Sequence, residues 1–141
     1  MNKTLKSAIS WVLYVAVLIG LIYGIPKGLT YVLKTDYPMA SITSGSMWPA
    51  LKEGDFIFIK GIENREEIKV GDIIVYSNPK GFTIHRVIKL NEDTVVTKGD
   101  ANNVNDSPVR YEEIVGKPLS FNDKPVRIPF LGKFGILISS I

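Results

Sequence analysis

The chain has no cysteine and a single histidine among its 141 residues. Without cysteine there is no disulfide framework and no thiolate zinc site, and one histidine cannot build a His-rich metal centre. The missing cysteines leave the redox compartment open, since a core of adequate size needs no covalent staple. Blocks of like charge are also absent. Lys and Arg total 17 against 14 Asp and Glu, a net charge of +3, and the two signs are interleaved. That pattern lacks the basic footprint of a nucleic-acid-binding protein. Nothing in the sequence asks for a metal or a cofactor. The length suits one domain, with room for an appended anchor.

Charge is missing in one more place. From Ser7 to Pro26, "SAISWVLYVAVLIGLIYGIP" carries no charged side chain of either sign. A helix rising about 1.5 Å per residue needs roughly 20 apolar residues to cross a hydrocarbon core about 30 Å thick. The run meets that length. Trp11, Tyr14 and Tyr23 lie toward its ends, where amphipathic aromatics favour the membrane interface. A cleavable signal would have a shorter apolar region and a small-x-small end. This run ends in Tyr23-Gly24-Ile25-Pro26, so the expectation is an uncleaved transmembrane anchor over residues 1–34. Lys3, Lys6 and the α-amino group favour a cytoplasmic N-terminus, although Lys27 and Lys34 dilute the bias. Residues 35–141 are then expected to be extracytoplasmic.

Beyond Asp36 the apolar period changes to two. Asp55–Lys60, Asp72–Ser77, Phe82–Leu90 and Thr94–Lys98 read as strands, rich in Ile, Val, Phe and Thr and bounded by turn residues. Met39–Thr43 reads as another. "IENREEIKV" is charged and fits a loop or a single helical turn. Gly54-Asp55 and Gly71-Asp72 each precede a strand, glycine supplying the unusual φ and aspartate bonding nearby amides. No long amphipathic helix follows the anchor. The expected fold is mostly β, an antiparallel, partly closed barrel-like domain. The apolar C-terminus, Ile128–Ile141, is expected to be a strand leading to a membrane-facing end.

The chemistry begins with "SGSMWP", Ser44 to Pro49. A serine hydroxyl is a poor nucleophile until a neighbouring base takes its proton. Histidine suits that task near neutral pH, and only His85, in "TIHRV", is available. On a strand, His85 and Val87 share one face while Ile84 and Arg86 share the other. A base on a strand is held rigidly. Its ring needs a carboxylate on the second nitrogen, and Asp93, Asp100 and Asp106 all follow it. Spacing leaves that choice open. It also leaves open which of Ser44 and Ser46 would act, and a Gly-Asp turn is a sufficient structural explanation for Asp100.

"SGSMWP", "GFTIHRV" and "TKGDANNVND", in that order after one apolar span, together resemble the type I signal peptidases of the archaeal and endoplasmic-reticulum branch. The resemblance runs from about Asp36 to Pro118 and includes the anchor. It implies a Ser-His-Asp serine endopeptidase with Ser46 as nucleophile, His85 as general base and Asp106 as the essential acid. Asp100 would be a supporting acid, and Ser44 a hydroxyl at the oxyanion hole beside the Ser46 N–H. The bacterial branch carries Lys where this chain has His85. One departure is Ala101, which separates Gly99-Asp100 from Asn102-Asn103. It weakens the resemblance at the asparagines more than at the aspartates.

The implied substrates are secretory preproteins with small residues at −1 and −3, lying extended against strand edges supplied by "MASIT" and "GFTIH". The implied setting is the cell membrane, with lipid and the protein-export machinery as partners. A membrane-tethered β-module that binds extended peptides without cleaving them is the alternative from a different class. Self-cleaving repressor-type serine proteases use a Lys base and a DNA-binding domain, and this sequence shows neither.

Overall fold

The computed structural model describes residues 2–133. Its first element, α1 (Lys3–Leu33), is a helix of 31 residues, about 46 Å long at 1.5 Å per residue. None of its most apolar window is buried, and among the described residues it is the one helix long and apolar enough to cross a membrane. A helix that is apolar on every face and packs against no protein has lipid as its natural surroundings. It outruns the charge-free stretch, because Pro26 lies inside it rather than at its end. The reason is at its C-terminus, which is docked. Leu33 is buried, and the Leu33 carbonyl accepts the Gly61 N–H at 2.8 Å. Lys34 then turns the chain with φ 52°, and its ammonium pairs with Glu63.

The rest is antiparallel sheet. β1 (Met39–Ser41), β2 (Phe56–Lys60), β3 (Ile73–Asn78), β4 (Gly81–Leu90) and β5 (Thr94–Lys98) follow the expected strands to within a residue or two. β6 (Val109–Arg110), β7 (Ile114–Pro118) and β10 (Arg127–Ile128) join them. β8 (Ser120–Phe121) and β9 (Lys124–Pro125) form a separate hairpin. The main sheet runs β1-β2-β7-β3-β4-β5-β6, with β10 also paired to β2. Its end strands β1 and β6 do not pair with each other, so the barrel is only partly closed. The charged stretch after β2 makes one 3-10 turn, Arg65–Glu67.

β3 explains the core. Ile73 to Tyr76 form an unbroken buried run, as in a strand covered on both faces. Ile73 and Val75 pack with Ile42, Met47, Leu51, Ile57 and Ile59. Ile74 and Tyr76 pack with Ile68, Val87, Val95 and Val109 on the opposite face. The two Gly-Asp turns work as their residue types require: Gly54 has φ +86° and Gly71 φ +97°. The Asp55 and Asp72 carboxylates accept the Lys52 and Lys69 N–H groups, each at 2.9 Å.

The C-terminal segment departs from expectation. Only Arg127–Ile128 is extended. Phe130 turns the chain with φ 66°, residues 131–133 are helical, and 134–141 lie outside the described residues. The Gly132 N–H donates to the Gly54 carbonyl at 3.0 Å, and Arg127 reaches the buried Asp55 at 2.8 Å. This return to the β2 turn takes precedence over continued extension.

A Cβ added at Gly61 would lie 1.9 Å from the Lys34 carbonyl oxygen. Gly61→Ala must therefore push the end of α1 off the sheet. Overpacking of this kind typically costs about 1–3 kcal/mol, and the variant is expected to lower the thermal unfolding midpoint in detergent. An unchanged midpoint would mean that the docking contributes nothing.

Candidate active site

Ser46 sits on no strand. It opens a tight turn in which the Trp48 N–H bonds the Gly45 carbonyl and the Leu51 N–H bonds the Met47 carbonyl. Met47 and Leu51 drive this turn into the core, at 2% and 0% exposure. The seated turn leaves Ser44 and Ser46 on its open side, their hydroxyl oxygens 3.2 Å apart.

His85 reaches the same place from β4. It lies directly opposite Ile74 of β3 and is buried. Side chains two apart on a strand, and directly opposite across a pair, share a face. His85, Tyr76 and Thr97 therefore project from three adjacent strands to one side of the sheet, and Asp106 lies over that side. His85 Nδ1 is 2.6 Å from Asp106 Oδ2, and His85 Nε2 is 3.1 Å from Ser46 Oγ. A carboxylate only accepts, so it fixes the proton on Nδ1. Nε2 is then left as an acceptor facing the serine hydroxyl.

The two other carboxylates go elsewhere. Asp93 stands in the turn between β4 and β5, exposed to solvent. Asp100 forms a two-pronged pair with Arg86, at 2.8 Å to Nε and 2.7 Å to Nη2. Arg86 also donates to the Gly71 carbonyl. The Asp100 contact raises the guanidinium above its ordinary pKa against the opposing effect of burial, so Arg86 keeps its charge. Asp100 is thus not a turn-former like Asp55 and Asp72. It ties its loop to the residue beside His85, and the next residue, Ala101, donates its N–H to the Ser46 carbonyl at 2.8 Å. Gly99 is required for closeness rather than for φ. A Cβ there would lie 2.7 Å from the Ser46 carbonyl oxygen and 2.6 Å from the Asn102 amide nitrogen.

The sequence alone assigns no role to Arg86, Tyr76 or Thr97, and reads Gly99 only as the glycine of a Gly-Asp turn. Period two from His85 and its neighbouring strand could have found Thr97, had the register of β4 against β5 been known.

Ser44, Ser46 and His85 line a cleft of about 580 Å³, with Ala40, Ile42, Met47, Ile59, Val75 and Ile84 as its apolar lining. Two strand edges border it. Ile42 exchanges both hydrogen bonds with the chain at Gly54 and Asp55, and the Pro38 carbonyl accepts from Ile59. By alternation, the backbone groups of Met39, Ser41 and Thr43 point away from β2 into the open. The Val87 N–H bonds the Asp72 carbonyl, so those of Phe82 and Ile84 likewise turn away from β3. β5 begins to pair only at Arg86. Tyr37 and Phe82 meet across the cleft, ring centres 4.6 Å apart. Among the described residues no cluster of three His, Asp or Glu could hold a metal ion. No buried side-chain nitrogen or oxygen among them lacks a hydrogen-bond partner.

A hydroxyl, an imidazole and a carboxylate in sequence, beside an open cleft, make the constellation of a serine hydrolase. Comparison with known proteins gives the class a family. The chain matches the family described as signal peptidase, peptidase S26, over residues 8–129, and it belongs to that family. It is 33% identical to the signal peptidase complex catalytic subunit sec11 of Sclerotinia sclerotiorum, over 95% of this chain and 83% of that protein. It is 34% identical to the SEC11 subunit of Candida tropicalis, over 80% of this chain and 72% of that one. For the SEC11 subunit of Lachancea thermotolerans the identity is 35%, over 80% and 73%. With α1, the chain is a serine peptidase of the membrane, with one spanning helix among the described residues.

The geometry separates the two acids. Asp106→Asn removes the negative charge and puts an amide, which can donate as well as accept, beside Nδ1, so the His85 tautomer is no longer fixed; it is expected to lower the cleavage rate about 10³–10⁴-fold. Asp100→Asn leaves that contact intact and is expected to cost about tenfold. Single-turnover cleavage of a preprotein by the two variants measures the order, and the reverse order would reassign the acids.

Proposed function

We propose that this protein removes signal peptides from secretory preproteins, with Ser46 as nucleophile, His85 as general base and Asp106 as its orienting acid. The observation that carries the reading is the hydrogen-bonded chain from Ser46 through His85 to Asp106 at the floor of a cleft between two open strand edges. An extended substrate hydrogen-bonds to those edges as an added strand and presents its carbonyl to Ser46. His85 Nε2 takes the hydroxyl proton as Oγ bonds the carbonyl carbon. The oxyanion is met by the Ser46 N–H and by the Ser44 hydroxyl, which exchanges its contact with Ser46 Oγ for one with the substrate. Collapse expels the amine, which takes the proton from His85. Water then clears the ester by the same route. The apolar lining suits small, uncharged side chains at −1 and −3. Asp100 supports the site through Arg86 and Ala101. A module that only bound peptides would have no use for a base aimed at a hydroxyl.

The same reading makes residues 1–34 the anchor and residues 35–141 the catalytic domain. It places the N-terminus in the cytoplasm and the cleft on the outer side of the cell membrane, where secreted chains emerge from the export machinery. The relatives named as subunits of a complex support partner subunits for this chain as well.

Ser46→Ala, folded and in detergent, is expected to lose cleavage by more than about 10³-fold; near-normal turnover would sink the assignment. Orientation can be tested separately, because the chain has no cysteine. A single Lys80→Cys, in the exposed β3–β4 turn, should react with a membrane-impermeant maleimide on intact cells. Labelling only after lysis would reverse the topology.

A further inference from the structure

Asp106 Oδ2 is the meeting point of more than the His85 contact. The Thr97 hydroxyl donates to that oxygen at 2.6 Å, and the Tyr76 hydroxyl donates to it at 3.2 Å. Thr97 is completely buried and Tyr76 nearly so, at 6% exposure. They stand on β5 and β3, which flank the strand carrying His85. Three adjacent strands therefore send one donor each to a single carboxylate oxygen. The two hydroxyls also approach each other, at 3.4 Å. The Asp106 N–H closes the arrangement by donating to the Thr97 carbonyl at 2.8 Å.

Packing alone gives no reason for these residue types. The face is otherwise built from Ile74, Val87, Val95 and Val109, and valine matches threonine in shape. A hydroxyl in such a place loses its water and must find a partner. Both of these find the same one.

We infer that Thr97 and Tyr76 are positioning residues for the reaction, forming a hydroxyl cradle that aims the Asp106 carboxylate at His85. The inference rests on the catalytic roles given above for Ser46, His85 and Asp106, and adds to them the groups that hold the acid. The loop carrying Asp106 has no regular structure between Asn102 and Pro108, so without the cradle only its backbone bond to Thr97 and the His85 contact itself would hold Asp106. Burial raises the Tyr76 phenol above its ordinary pKa, and the Asp106 charge adds to this while Thr97 opposes it. The phenol therefore keeps its proton and stays a donor at any working pH. The titratable groups that face Asp106 are His85 from β4 and Tyr76 from β3. The nearby charges of Arg86 and Asp100 are committed to each other.

Hydrogen bonds to a charged group contribute about 1.5–3 kcal/mol each, roughly ten- to a hundredfold in rate if they act on the transition state. The test compares Thr97→Val, Thr97→Ser and Tyr76→Phe in the full chain in detergent, with a preprotein as substrate. Thr97→Val should lower kcat about ten- to a hundredfold and leave KM within about a factor of two. The acid limb of its kcat profile should move to higher pH, because a carboxylate that has lost donors takes up a proton more readily. Thr97→Ser, which keeps the hydroxyl but loses the methyl, should recover most of the rate. Tyr76→Phe, whose contact is the longer one, should show the same shift at smaller size.

Wild-type kcat and acid limb in both Thr97→Val and Tyr76→Phe would overturn the cradle. Thr97→Ser as slow as Thr97→Val would overturn it too, by making the residue a packing element. Neither result touches the assignment of Ser46, which stands or falls on Ser46→Ala.

Discussion

The hydrogen bond from the Ala101 N–H to the Ser46 carbonyl joins the two halves of the site. Ser46 comes from the turn after β1, at one end of the sheet order, while His85 and Asp106 belong to β4 and the loop after β5. No ladder connects these parts directly. The Ser46 turn is seated from below by Met47 and Leu51 and held from the side by Ala101. That second hold depends on Gly99, whose missing Cβ lets the loop approach, and on the Asp100–Arg86 pair. Since Arg86 is the neighbour of His85, the strand that carries His85 grips the loop that grips the Ser46 turn. A polar chain of this kind fixes relative position, which is where rate is sensitive to small displacements.

The burial of His85 and the half-burial of Asp106 work toward the same end. In a low-dielectric surrounding an imidazole that gains charge needs its counter-charge already in place. The sheet supplies it without rearrangement, because Tyr76, His85 and Thr97 reach Asp106 from adjacent strands of one ladder. The two apolar clusters on either face of β3 keep that ladder rigid. Stability and catalysis therefore draw on one element, whose unbroken apolar run is visible in the sequence.

How much could be read without coordinates follows from where each determinant is encoded. The anchor, β2 to β5 and the Gly-Asp turns before β2 and β3 depend on local pattern, and local pattern was enough. β6 to β10 are two to five residues long. β6, β7 and β10 owe their extension to strands elsewhere in the chain, and β8 and β9 to each other, and at such lengths period two has no room to show. Ser46, His85 and Asp106 were named through resemblance; the residues alone left two serines and three aspartates open. Asp100 illustrates the limit. Its Gly-Asp dipeptide looks like the two turn-formers, yet its side chain turns to Arg86, because the partner that decides the matter lies across a strand pair. Tyr76 and Thr97 are legible only once the register between β3, β4 and β5 is known.

The length of α1 bears on where the catalytic domain stands. Its charge-free run ends at Pro26, but the helix continues to Leu33 before it docks on Gly61. Those last seven residues, Lys27 to Leu33, rise about 10 Å at 1.5 Å each. The headgroup region on one side of a bilayer is about 5–8 Å thick, as the difference between total and hydrocarbon thickness divides between two faces. The extra turns thus carry the chain through the headgroups and a few ångströms beyond before the sheet begins. A flexible linker of equal length would leave that height free to vary. A helix continued past its proline, with its last residue buried and its cap paired to Glu63, fixes it. That rigidity is useful to a peptidase whose substrate is itself threaded through the same membrane, since the scissile bond then arrives at a set height above the lipid.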